Sequence, residues 1–292
     1  RSCTEDATTN EKMMEDAISV QDLGFNWPDG SRALTSVSMG LPKGCRSVLV
    51  GANGAGKTCL LRCVGGMYKY SGECRVFGKE TYVPTRLGTS GAFEIVAGTN
   101  CWRHGNCTIV GERWQPRGDS KVSTMLEFVD GWEPARRDIL VERFGIDLDW
   151  QVNALSDGRK RRVQLLLAFV RPSEVLLLDE VTTDLDVLAR ETLLEWLREE
   201  SETRGVTVLF STHIFDGLED WGTHVTYVQE GKISRCAALG EVPEIAALRT
   251  QGCLTPLYNY VETMVNHDAD IARASGGKKK RLSEPVGLMA TN

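Results

Sequence analysis

No apolar run long enough to cross a bilayer, roughly 18 residues or more, occurs in the 292-residue chain, so no segment is expected to span a membrane. Positive charge is not in excess. Thirty-four Lys and Arg stand against 40 Asp and Glu, a net −6, so non-specific nucleic-acid binding is not the default. The segment from Arg1 to Glu15 lacks both a secretory apolar region and an arginine-rich transit pattern, and residues 1–17 are expected to be a flexible acidic tail. Cysteine pairing is also missing. Nine cysteines fall singly, several inside apolar runs, which points to reduced thiols and a cytoplasmic or nuclear compartment rather than a disulfide framework. Cys101, His104 and Cys107 stand close together but lack a fourth ligand nearby, and the preferred reading is a loop of small hydrophobes rather than a metal site.

What is present is a phosphate-binding loop. Gly51, Ala52, Asn53, Gly54, Ala55, Gly56, Lys57 and Thr58 follow the apolar run Val48–Val50. The glycines let backbone N–H groups close around phosphates, Lys57 reaches the outer phosphates, and Thr58 offers a hydroxyl to Mg²⁺. The helix beyond it, from Cys59 to Val64, turns its positive end toward the anion. The chain is expected to bind a nucleoside triphosphate.

Short alternating segments around the turn Pro28-Asp29-Gly30 predict antiparallel strands, and Arg46–Val50 and Cys74–Phe77 predict two more. Residues 85–118 show no clean periodicity, and no strand is assigned there. Helices are expected over Ser120–Val129, over Pro134–Phe144, and from Ser156 and Asp157 to just before Pro172. Val175–Leu178 is apolar on both faces, as suits a central parallel strand. A helix from Leu188, a strand over Val206–Phe210 and a terminal hairpin at Glu230-Gly231 complete an alternation of strands and helices. Beyond Gly240, Leu257, Tyr260, Val261, Met264, Val265 and Ile271 share one helical face, expected to dock on the core. Lys278 to Arg281 form a short basic run, read as a solvated tail in preference to a nuclear address.

Phosphoryl transfer asks mainly for placement and charge neutralisation. Asp179, at the end of the Val175–Leu178 run, is positioned to orient Mg²⁺, and Glu180 follows where a carboxylate can polarise an attacking water. Leu155-Ser156-Asp157-Gly158-Arg159 opens a helix ahead of them, Thr183-Asp184-Leu185-Asp186 follows, and His213 stands in Phe-Ser-Thr-His-Ile-Phe. In this order and spacing, over roughly residues 18–240, these segments resemble the signature motif, D-loop and switch histidine of ATP-binding cassette (ABC) ATPases. Trp27 resembles the family's adenine-stacking aromatic.

The resemblance implies an α/β P-loop NTPase with a RecA-like parallel-sheet core, an antiparallel β-subdomain and a helical subdomain over about residues 85–172. Around the cassette the residue pattern gives a flexible acidic tail over 1–17, a helical extension over 241–275 and a basic tail over 276–292. It also implies ATP and Mg²⁺ as ligands and two cassettes, expected to be a homodimer, facing head to tail. Ser156 and the backbone of Gly158 would then approach a γ-phosphate across the interface, Asp186 would couple the two sites, and His213 would contact the γ-phosphate and hold the water.

Two departures stand out. Asp157 and Arg159 occupy positions where the family usually has Gly and Gln, and the charge of Arg159-Lys160-Arg161-Arg162 is expected to offset Asp157 unless it is simply a solvated helical face. No Q-loop glutamine lies at about 95–105, where Asn100 is the nearest amide and Gln115 lies too far along, and this weakens a transport reading. The strings LSDGRKRRVQ, LLLDEVTTDLDVLAR and THIFDGLEDWGTH resemble the small soluble ABC proteins of eukaryotes, the fungal ATPase associated with the CCR–NOT complex and the plant I-subfamily members. The expected function is an ATPase that hydrolyses ATP to drive a regulatory or scaffolding cycle in transcription or mRNA regulation, with a protein complex such as CCR–NOT as partner. The alternative is the nucleotide-binding subunit of a membrane transporter.

Overall fold

The computed structural model describes residues 16–82, 93–111, 114–116 and 118–274. Most of the acidic tail and the whole basic tail lie outside the described residues. In chain order the elements are β1 (Ile18–Asn26), β2 (Arg32–Leu41), β3 (Arg46–Val50), α1 (Lys57–Val64), β4 (Ser71–Val76), β5 (Lys79–Glu80), β6 (Phe93–Ile95), β7 (Cys101–His104) and β8 (Cys107–Val110). There follow α2 (Val122–Leu126), α3 (Pro134–Phe144), α4 (Asp157–Phe169), β9 (Val175–Asp179), α5 (Val187–Arg204), β10 (Thr207–Ser211), β11 (His224–Gln229), β12 (Lys232–Ala238), α6 (Pro243–Thr250) and α7 (Pro256–Ala274).

The strands form two sheets. A four-stranded antiparallel sheet runs β2-β1-β4-β5, and an eight-stranded sheet runs β12-β11-β3-β10-β9-β8-β7-β6. In the larger sheet β11, β3, β10, β9 and β8 are mutually parallel, and antiparallel β12 and the β7–β6 pair extend its two edges. Every residue of β3, β9 and β10 is buried, because both faces of the sheet are covered, which explains the uninterrupted apolar runs of these strands.

The segment 93–110, within the stretch left without strands, is a three-stranded antiparallel extension of this sheet. The expected helical layer therefore starts at Val122 rather than near residue 85. The first expected helix is also shorter than anticipated, only Val122–Leu126. Cys101 lies opposite Val110 and Cys107 opposite His104, so the cysteine-histidine segment is a hairpin whose two thiols are buried. No disulfide joins the cysteines among the described residues.

Helix ends follow local chemistry. Pro134 stands in the first turn of α3, and Gly145 and Gly205 end α3 and α5 in left-handed conformations at φ 58° and 67°. The helices are tied to one another by Phe169 of α4 stacked on Trp196 of α5, with centroids 4.5 Å apart. A largely buried bidentate pair adds to this, in which Arg136 of α3 donates to both carboxylate oxygens of Glu200 at 2.8 and 2.9 Å. Leu257, Tyr260 and Val261 bury one face of α7 against the domain, whereas Ile271 at its far end is exposed.

Candidate active site

The phosphate loop leaves β3 at Gly51 and enters α1 at Lys57. Its geometry depends on glycine at two places. At Gly51, φ is 147° and a Cβ would lie 2.2 Å from the carbonyl oxygen of Val228; at Gly56, φ is 113° and a Cβ would lie 3.0 Å from that of Ala33. The loop is thus wedged between β11 and β2. Lys57 Nζ donates to the carbonyls of Gly51 and Ala52 at 2.9 and 3.2 Å, which lays its side chain across the mouth of the loop. Burial lowers the Lys57 pKa, opposed by the nearby carboxylates of Glu180 and Asp179. An anion in the loop would reverse that cost of burial.

Asp179 ends β9 and is buried. Its pKa is raised, first by burial and further by Glu180, against lowering by a hydrogen bond from Thr58 and the charge of Arg62. Among the described residues its Oδ1 is a buried oxygen with no hydrogen-bond partner. A buried carboxylate oxygen left unmatched, with the Thr58 hydroxyl beside it, is the donor set a hard, oxygen-preferring Mg²⁺ requires. The residues fit the ion.

Glu180 follows with φ 52°, a left-handed backbone that a non-glycine residue rarely adopts, held by its N–H donating to Ser211 O at 2.9 Å. That turn swings the carboxylate toward His213, whose Nδ1 lies 2.7 Å from Glu180 Oε2. His213 leaves the end of β10, the strand paired with β9 on one side and β3 on the other, so the sheet itself brings Lys57, Asp179, Glu180 and His213 together.

Trp27 lies in the turn after β1. Its indole meets Phe25 edgewise at 5.2 Å and Tyr68 edgewise at 5.9 Å, while Phe25 and Tyr68 stack on each other at 4.9 Å. Both rings stand roughly perpendicular to the indole, sequence reasoning did not single them out, and Trp27 stays half-exposed.

The signature residues lie elsewhere. Ser156 caps the N-terminus of α4, accepting from Arg159 N at 3.5 Å, and Asp157 stands exposed in the first turn. Among the described residues no hydrogen bond or ion pair joins Ser156, Asp157 or Gly158 to the phosphate loop of the same chain. They neighbour the D-loop instead. Asp186 caps α5, accepting from Ala189 N at 2.8 Å, and also pairs with Arg162. Its pKa is lowered, foremost by that backbone hydrogen bond.

The basic run after Gly158 does not act as a block. Arg159 lies over the ring of Trp150, Arg161 is buried against Asp184, and Arg162 pairs with Asp186, which leaves Lys160 facing Asp157 at 3.9 Å. The offset of Asp157 expected from sequence therefore falls to Lys160 alone, and Arg161, being buried, is no part of a solvated face. The Q-loop expectation also needs correction. The strand beside β9 is β8, ending at Val110, and Gln115 is the glutamine that follows it in sequence, whereas residues 95–105 lie largely in the β6–β7 hairpin at the sheet edge.

The pattern of the family described as ABC transporter matches residues 34–183. The chain is similar to "ABC transporter I family member 20" of Arabidopsis thaliana, at 39% identity over 81% of this chain and 74% of that protein. It is also similar to "CCR4-associated factor 16" of Saccharomyces cerevisiae, at 37% identity over 74% and 77% of the two chains. Among solved structures it resembles cbiO1 of Clostridium perfringens, part of the ABC transporter complex cbiONQ, with a TM-score of 0.64 and 25% identity over 86% of this chain and 99% of that one. The fold is shared as well with a dimeric ATP-binding cassette in a post-hydrolysis state bound to ADP and Pi, at a TM-score of 0.58 and 19% identity over 76% and 98% of the chains.

Proposed function

The chain belongs to the ABC transporter family, and on that premise we propose that it hydrolyses ATP in a head-to-tail homodimer. Lys57 and the loop N–H groups would bind the triphosphate, and Trp27 would stack on the adenine. Asp179 and Thr58 would hold Mg²⁺, which supplies neutralisation of the phosphate charge. Glu180 would accept a proton from the attacking water, with His213 fixing that carboxylate and contacting the γ-phosphate. Ser156 and the α4 N-terminus would meet the γ-phosphate bound by the other chain, favoured by the helix dipole. The observation that carries this reading is the Glu180–His213 contact at 2.7 Å, beside an Asp179 whose inner oxygen is unmatched.

Hydrolysis removes the bridging γ-phosphate, so each cycle would close and reopen the dimer. No helix among the described residues is long and apolar enough to cross a membrane. With the similarity to a protein named as a CCR4-associated factor, this favours a regulatory or scaffolding cycle in transcription or mRNA regulation, in the cytoplasm or nucleus, with a protein assembly such as CCR–NOT as partner. The test is sedimentation of Glu180→Gln with saturating Mg²⁺-ATP. Dimer formation is expected, and a chain that stays monomeric would refute the reading. A second reading, the nucleotide-binding subunit of a membrane transporter, is favoured by Gln115, which follows β8 in sequence. It predicts that an integral membrane protein co-purifies in stoichiometric amount from detergent extracts.

A further inference from the structure

We propose that Arg161 and Asp184 are positioning residues that lock the signature helix to the D-loop within one chain, so that the two nucleotide sites of the dimer act together. The proposal rests on the head-to-tail reading above. It starts from three contacts that converge on the D-loop. Thr183 Oγ1 donates to the carbonyl of Glu180 at 2.8 Å, which pins the start of the loop to the residue that activates water. The carbonyl oxygen of Asp184 lies so close to the first turn of α4 that a Cβ on Gly158 would stand 2.9 Å from it. The side chain of the same Asp184 accepts from Arg161 Nη2 at 3.3 Å.

Arg161 extends this contact to the sheet. Its Nη1 donates to the carbonyl of Gly111 at 2.9 Å and to Gln164 Oε1 at 2.8 Å. Gly111 directly follows β8, the strand paired with β9, which in turn carries Asp179. One guanidinium therefore spans α4, the D-loop and the end of β8. The Arg161 and Asp184 side chains are only 3% and 7% exposed, so salt screens the pair little and neither group can turn to water. The outer pair, Arg162 with Asp186, runs alongside but is more exposed and correspondingly softer.

The consequence follows from which site each end serves. Glu180 works on the triphosphate of its own loop, while Ser156, at the tip of α4, faces the partner's. A shift of the Glu180–Asp184 segment must carry α4 with it, because Gly158 leaves no gap and Arg161 holds the other side. Chemistry at one site is thereby linked to the grip on the other.

The test compares Asp184→Asn, Arg161→Met and Arg161→Lys, each in the full chain. In the Glu180→Gln background, ATP-driven dimerisation is followed by sedimentation, and ADP binding to the monomer by equilibrium dialysis. Asp184→Asn and Arg161→Met should raise the ATP concentration for half-dimerisation about tenfold, a typical coupling for groups in direct contact, with ADP affinity held within about twofold. Arg161→Lys, which keeps the charge, should recover much of the loss. With Glu180 intact, the Hill coefficient for ATP hydrolysis should fall toward one in Asp184→Asn. Unchanged dimerisation and cooperativity in Asp184→Asn would overturn the proposal, and so would a loss of ADP affinity as large as the loss of dimerisation, which marks a general folding role. Should Arg161→Met aggregate, the near-isosteric Asp184→Asn decides alone. If Glu180→Gln itself stays monomeric, the head-to-tail reading fails first and this proposal with it.

Discussion

Glu180 Oε2 and His213 Nδ1 are in contact at 2.7 Å within a single chain. The contact exists because Glu180 adopts a left-handed backbone at φ 52°. Such a conformation costs about 1 kcal/mol or more in a non-glycine residue, and strain of this kind gathers at functional sites. The hydrogen bond from Glu180 N to Ser211 O and the sheet pairing of β9 with β10 hold it in place.

Replacing Glu180 with Gln should therefore separate binding from turnover. Phosphate release should fall by about 10²–10⁴, the usual contribution of a general base, while Mg²⁺-ATP still binds. A malachite-green assay beside equilibrium binding checks both halves, and retained hydrolysis would show that another group activates the water.

Asp179 predicts a pH effect of definite sign. Burial raises its pKa, so between the ordinary carboxylate value and that raised value the folded chain binds more protons than the unfolded chain. Stability from this group is present at the acid end of that window and is lost as pH rises through it. Asp179→Asn removes the charge, so at pH 7 without nucleotide it should denature about 2–4 °C above the wild type. The same variant should lose the extra stabilisation that Mg²⁺ with ATP confers on the wild type. Thermal scans with and without Mg²⁺-ATP measure both, and an unchanged magnesium effect would place the ion elsewhere.

Trp27, packed perpendicular to Phe25 and Tyr68, should contribute stacking energy to the base. Trp27→Ala is expected to weaken ATP binding by about 1–3 kcal/mol, the range for a base on an aromatic ring, and Trp27→Phe should retain most of it. Competition with a fluorescent nucleotide analogue reads the difference. Equal affinity in Trp27→Ala would remove this residue from the site.

The C-terminal helix is anchored by Glu219, whose two carboxylate oxygens accept from Leu257 N at 2.9 Å and Tyr258 N at 3.0 Å, while Phe215 packs on Tyr258 at 5.7 Å. Glu219→Ala removes this cap from outside the helix and should cost about 1 kcal/mol. Limited proteolysis should then cut faster near Pro256, and an unchanged cleavage rate would show that the apolar face of α7 alone holds it.

Much of this protein can be read from contiguous sequence. Gly51 to Thr58, the buried run Val175–Leu178 followed by Asp179-Glu180, and the capped opening of α4 at Ser156 are local chemistry, and each folds as its own residues dictate. The structure alone decided the segment 93–110 and the fate of the basic run. Strands as short as β6, β7 and β8 carry too few residues to show a period, and they form because β9 offers a parallel edge to pair with. Arg161 looks like any member of a charged stretch until the D-loop brings Asp184 against it. Sequence determines what a residue can do, but burial and a distant partner determine whether it does so, because both arise only when segments far apart in the chain meet.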